Sequence, residues 1–168
     1  MTGAIVLPAR ESAPTYRLRR TTRLPGDLAT VFAFFKDPRN LETITPPWLG
    51  FRITSTSDAV MRSGTRIRYR LSLHGIPMSW ESCITEFAEN SHFADEQTTG
   101  PYSRWYHRHG FRAVDGGVEM TDDVEYRLPF GPVGRLVHWL VVRHQLRAIF
   151  EYRTRIIAEQ FGSAGSDA

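Results

Sequence analysis

A chain of 168 residues with 21 Lys and Arg against 18 Asp and Glu, formal net charge +3, suits one domain that buries roughly two-thirds of its unfolded surface. Hydrophobic residues at 41% and charged residues at 23% match the globular average and exclude disordered, collagen-like and coiled-coil classes. The small charge excess gives no support to a nucleic-acid surface, the single cysteine, Cys83, excludes an intrachain disulfide, and the longest apolar stretch, Trp139 to Val142, is too short to span a bilayer.

In chain order, residues 1–14 read as a flexible tail without signal-peptide character, and a cytoplasmic location is expected. TYRLRRTTRL alternates Tyr16, Leu18, Arg20, Thr22 and Leu24 against Arg17, Arg19, Thr21 and Arg23, which predicts a first strand with a wet arginine face. In PGDLATVFAFFKDP, Asp27 is a candidate N-cap, Val31, Phe32, Phe34 and Phe35 form an apolar helical face, and Pro38 is a stop. RNLETIT predicts a second brief helix that the prolines Pro46 and Pro47 break.

From residue 51 the periodicity changes from about 3.6 to 2. FRITSTS is a second strand, and TRIRYRLSLHG a third that turns Ile67, Tyr69, Leu71 and Leu73 inward and Arg66, Arg68 and Arg70 outward. MSWESCITEF is a fourth strand whose faces the pattern leaves open. HFADEQTTG, YSRWYHRHGFRAV and GVEMTDDVEYRLP complete the series, with Asp115-Gly116-Gly117 as the turn of a final hairpin. Residues 132–161 return to helical spacing along Leu136, Leu140, Arg143, Leu146, Ile149, Phe150, Arg153 and Ile157, a helix of about 45 Å, and 162–168 read as a disordered tail. Residues 15–161 therefore form a single α+β domain. Consecutive strands joined by short turns predict an antiparallel sheet, and one helix across a curled sheet leaves a pocket beneath it.

The order of elements, together with LPGDLATVFAFFKDPRNLETITPPWLGFRI, GTRIRYRLSLHGIPMSWESCITE, GPYSRWYHRHGF, MTDDVEYRLPFGPVGRL and the arginine-rich last helix, resembles the SRPBCC superfamily of START-related, pollen-allergen-like proteins. It looks like their small bacterial branch, labelled ligand-binding or polyketide cyclase/dehydrase-like, over about residues 15–158. The resemblance implies a helix-grip fold: a seven-stranded antiparallel curved sheet wrapped around a long C-terminal helix, with two short helices between strands 1 and 2. It also implies an internal cavity for an apolar or aromatic, lipid- or polyketide-like small molecule. It carries over no catalytic residue.

In the sixth strand Trp105, His107, His109 and Phe111 share the face opposite Arg104, Tyr106 and Arg108. Buried unpaired arginines are costly, so the histidine face turns inward. In the seventh strand Val118, Met120, Asp122, Val124, Tyr126 and Leu128 turn inward by the same reasoning. The hairpin brings Asp122 near His107 or His109 if its register allows. For ligand binding, Phe34, Tyr69, Leu71, Trp80, Trp105, Phe111, Met120, Leu140 and Phe150 supply apolar contact, while His107, His109, Asp122 and Tyr126 orient polar atoms. In the enzyme alternative, a cyclase or dehydratase, His107 or His109 is the acid/base and Asp122 orients it. In the structural alternative the same residues are a satisfied buried network. A His-x-His strand with a carboxylate also suits a metal, but no third ligand is evident on that face, so neither metal nor cofactor is expected. A third reading is a protein-interaction module on the arginine face. The expected partner is a small molecule, with no nucleic acid and no stable membrane insertion, in a monomer or weak homodimer.

Overall fold

The computed structural model describes residues 14–162 except His74. Both expected tails, save Pro14 and Gly162, and the histidine of the HGIPM turn thus lie outside the described residues. Seven strands, β1 (Tyr16–Leu24), β2 (Arg52–Thr56), β3 (Arg66–Leu73), β4 (Ile76–Ala88), β5 (His92–Thr99), β6 (Arg104–Val114) and β7 (Gly117–Arg127), form one antiparallel sheet in the order β1-β7-β6-β5-β4-β3-β2. Helices α1 (Leu28–Lys36) and α2 (Asn40–Thr43) and a 3₁₀ turn (Pro47–Leu49) connect β1 to β2. The curved sheet with its long C-terminal helix is the expected helix-grip α+β fold.

Local chemistry sets these elements. Asp27 caps α1 by accepting the Thr30 N–H at 2.9 Å, which satisfies one of the orphan donors of the first turn. Gly116 adopts φ +79°, as the two-residue turn pairing Val114 with Gly117 requires. In β4 a register shift between Ile84 and Glu86 breaks the alternation, so that Ile84 and Phe87, three residues apart, both face the interior. That bulge is why sequence alternation did not assign the faces of this strand.

One core cluster lies under α1. Phe32 is fully buried, and its ring meets Phe87, Phe93 and Phe111 edge-on at centroid separations of 5.8, 6.1 and 5.2 Å. Burying such a ring contributes about 1.5–3 kcal/mol. A second cluster joins Val124 and Tyr126 of β7 to Val142, Leu146 and Phe150 of the C-terminal helix.

That helix departs from the expected stripe. It consists of α3 (Gly131–Val137), a π turn (His138–Val142) and α4 (Arg143–Phe161). A π turn adds a residue to the helical repeat and rotates the preceding face away from the stripe that follows. Val142, Leu146, Phe150 and Ile157 are buried, whereas Leu136 and Leu140 are 57% and 54% exposed. The π turn is anchored by His138, whose ring stacks on Tyr16 at 3.5 Å and whose Nε2 lies 2.9 Å from the Tyr126 hydroxyl. No helix among the described residues is long and apolar enough to cross a membrane.

Candidate functional site

Between the concave sheet and α4 lies a cavity of about 190 Å³. β3 contributes Ile67, Tyr69, Leu71 and Leu73, and β4 contributes Met78, Trp80, Ser82 and Ile84. Phe93 and Asp95 come from β5, and Trp105, His107 and His109 from β6. Phe34, Phe35, Leu41 and Ile44 close one side, and Gln145, Leu146, Ile149, Phe150 and Arg153 of α4 form the roof. Trp80 stacks on Tyr69 at 5.8 Å and meets Trp105 edge-on at 5.3 Å, so one end of the cavity is almost wholly aromatic. Sites for drug-sized ligands span roughly 300–1,000 Å³, so this one suits a compact ligand.

The adjoining wall is polar and follows from strand register. His109 is paired with Asp122 across β6 and β7, and His107 with Asp95 across β5 and β6. Opposed side chains in such pairs start only about 5 Å apart at Cβ. The His107 Nε2–H donates to Asp122 Oδ1 at 3.0 Å, and His107 Nδ1 lies 3.9 Å from Asp95 Oδ1. His109 Nδ1 is 2.8 Å from the same Asp122 oxygen but off the line of a hydrogen bond. Ser82 Oγ donates to Asp95 Oδ2 at 3.0 Å and accepts from the Trp80 indole N–H at 3.1 Å. A continuous polar chain thus runs from Trp80 on β4 to Asp122 on β7. Arg153 lines the cavity from above, its Nε buried and without a hydrogen-bond partner among the described residues.

The electrostatics divide the two carboxyls. Burial pushes Asp122 upward, but Arg153 and the two imidazoles outweigh it and hold the carboxyl well below its usual range. Burial raises Asp95, and the neighbouring His107 and Ser82 reverse only part of that. His109 is pushed down to about 3, chiefly by burial and then by His107. Its folded value lies below the unfolded 6.5, so the unfolded chain binds the extra proton. The contribution of His109 to stability is therefore intact above pH 6.5 and declines as pH falls toward 3. Asp95, being raised, acts in the opposite direction in the carboxylate range. At about pH 5, where a free imidazole is mostly protonated, the ring nitrogens of His109 should keep the neutral pattern in a long-range proton–nitrogen spectrum. A cationic pattern there would contradict this burial.

Of the expected ligand-binding residues, Phe34, Tyr69, Leu71, Trp80, Trp105, His107, His109 and Phe150 line the cavity. Five others do not. Phe111 and Met120 are sealed in the core under α1, because that helix covers their part of the concave face. Asp122 sits behind the histidines. Tyr126 is engaged with His138, and Leu140 is turned outward by the π turn. Asp95 and Ser82 were not among the expected site residues, while Arg153, read as part of the stripe of the last helix, reaches the cavity. Alternation from Phe93 to Asp95 was the available signal for Asp95, since it places both on one face of β5.

The outward arginines are largely neutralised where the sheet presents them. Arg66 and Arg68 both reach Glu81, at 2.7 and 2.5 Å, and Arg17 pairs with Asp123. Hydrogen bonds from Thr98, Arg68 and Arg66 hold Glu81 down at about 2. This is the pattern of a solvated, charge-balanced face and gives the interaction-module reading no specific support.

The model of the family described as polyketide cyclase / dehydrase and lipid transport matches residues 24–150. Among solved structures, the chain resembles protein Ms6760 from Mycobacterium smegmatis at 18% identity and TM-score 0.61, covering 86% of this chain and 89% of that one. It also resembles the major latex-like protein 151 of Panax ginseng, at 15% identity and TM-score 0.62, over 88% of this chain and 98% of that one. Protein CV1439 from Chromobacterium violaceum is similar at 15% identity and TM-score 0.62, over 88% and 96% of the two chains. The sequence matches no curated protein. At these identities the structural likeness establishes the fold, and with the match over residues 24–150 the chain belongs to the polyketide cyclase / dehydrase and lipid transport family, within the SRPBCC superfamily.

Proposed function

We propose that the protein binds a compact apolar or aromatic small molecule, lipid- or polyketide-like, in the cavity between the sheet and α4. The observation that carries this reading is the contrast between the cavity walls. The aromatic end formed by Tyr69, Trp80 and Trp105 suits a flat ring system, while the adjoining His107, His109 and Asp95 offer polar atoms to a carbonyl or hydroxyl. An apolar pocket with a few convergent polar groups is the usual form of a small-molecule site. The family, described as including lipid transport, supports the same class of ligand. Denaturing the purified protein and analysing the released organic fraction by mass spectrometry should yield one co-purifying small molecule. A protein that releases none, and gains no thermal stability from β-naphthol or similar ring compounds, would not fit this reading.

A specific observation favours a second reading, cyclase or dehydratase chemistry. Both imidazoles line the cavity with Asp122 behind them, the arrangement in which a carboxylate orients a general acid/base. Once a ligand is known, turnover by wild type that disappears in His107→Ala or His109→Ala supports catalysis. Binding that survives both substitutions with no product formed leaves binding alone.

A further inference from the structure

We infer that Asp95, His107 and His109 form a site for a divalent transition-metal ion, of the zinc or ferrous class, on the polar wall of the cavity. Sequence spacing supplied two candidate ligands. The structure adds the third, because β5 pairs with β6 so that Asp95 stands opposite His107. One donor atom from each residue lies within 4.8 Å of the other two. Bonds of about 2.0–2.2 Å would place donors roughly 3.3 Å apart in a tetrahedron, so the site must contract by up to about 1.5 Å, within the reach of side-chain rotation.

The surroundings are those of a ligand set rather than of three polar residues that happen to meet. Metal-bound histidines characteristically give their second ring nitrogen to a carboxylate, which fixes the tautomer and the ring plane. Here Asp122 accepts from Nε2 of His107 and lies 2.8 Å from Nδ1 of His109, a contact that a small rotation of that ring would turn into a second hydrogen bond. With those nitrogens turned to Asp122, the ones left for an ion are Nδ1 of His107, 3.9 Å from Asp95 Oδ1, and, by elimination, Nε2 of His109. Ser82 holds the far oxygen of Asp95 and leaves Oδ1 on the His107 side. Two histidines and one carboxylate leave coordination positions open, and all three residues line the cavity, so the open positions face the space where a ligand would lie.

Arg153 also lines the cavity, its Nε buried and without a hydrogen-bond partner among the described residues, so the open positions share their space with a cationic side chain. That suits an anionic ligand oxygen, such as a phenolate or enolate, at an open position. The ion site itself stands on the sheet side chains and does not depend on the organic ligand proposed above.

The test uses metal alone, with no organic ligand present, so its failure leaves the ligand-binding proposal intact. Full-length protein without a histidine tag, stripped with chelator, is titrated with cobalt(II) and followed by visible absorption and by elemental analysis. One cobalt per chain is expected, with binding weakened roughly tenfold or more in Asp95→Asn and His109→Gln, about 10–100-fold in Asp122→Asn, and unchanged in His144→Gln, an exposed position on α4 away from the cavity lining. Absence of saturable binding by folded wild type would overturn the site. So would binding that persists in Asp95→Asn and His109→Gln but is lost in His144→Gln. If those variants do not fold, proton spectra of the wild-type cobalt protein decide. Two strongly shifted exchangeable ring protons are expected, from His107 Nε2–H and His109 Nδ1–H, and their absence would reject the assignment.

Discussion

Replacing Asp122 with alanine is expected to lower the unfolding free energy by about 3 kcal/mol, read as a fall in the urea midpoint at unchanged slope. Asp122 is 4% exposed, and its carboxylate faces His107 and His109 together with the charge of Arg153. Removing one partner of a buried charged network leaves the others without compensation, which costs more than the net worth of the contacts in the intact protein. Asp122→Asn keeps the shape and one acceptor and should cost about half as much. A loss under about 0.5 kcal/mol for Asp122→Ala, the range of ordinary surface substitutions, would mean that the network does not hold the two rings.

The second large effect concerns the cavity. Leu71 sits on β3 at the cavity wall and is half-buried, so Leu71→Trp should place an indole in space a ligand would occupy. Affinity for β-naphthol, measured by calorimetry, is expected to fall at least about tenfold, or roughly 1.4 kcal/mol. Because the new ring enters existing space, the stability change should stay below the about 1–3 kcal/mol typical of overpacking a filled core. Unaltered affinity in a folded Leu71→Trp protein would place the ligand elsewhere.

Much of the fold was legible because each segment carries one dominant signal. Alternation marked the strands, Asp27 marked the start of α1, and the Asp115-Gly116 turn tied β6 to β7, which brought Asp122 to the histidines. The site was less legible for two physical reasons. Facing inward is not the same as lining the cavity: Phe111 and Met120 face inward but meet α1, and Tyr126 meets His138. The second reason is that irregularities change the phase of a pattern without an obvious change in composition. The bulge after Ile84 obscured the faces of β4, and the π turn at His138–Val142 turned Leu140 outward. Alternation could place Asp95 on the inward face with Phe93, but its pairing with His107 emerges only when β5 is set in register against β6.

The four tryptophans report on the central claim directly, because Trp80 and Trp105 line the cavity while Trp48 and Trp139 are 57% and 58% exposed. In a proton–nitrogen correlation spectrum each indole N–H gives its own resonance, and β-naphthol is the probe to titrate. The structure predicts saturable shifts of the Trp80 and Trp105 signals, with Trp48 and Trp139 unmoved. Shifts confined to Trp48 and Trp139, or no shifts as the probe approaches its solubility limit, would contradict a ligand-binding cavity between the sheet and α4.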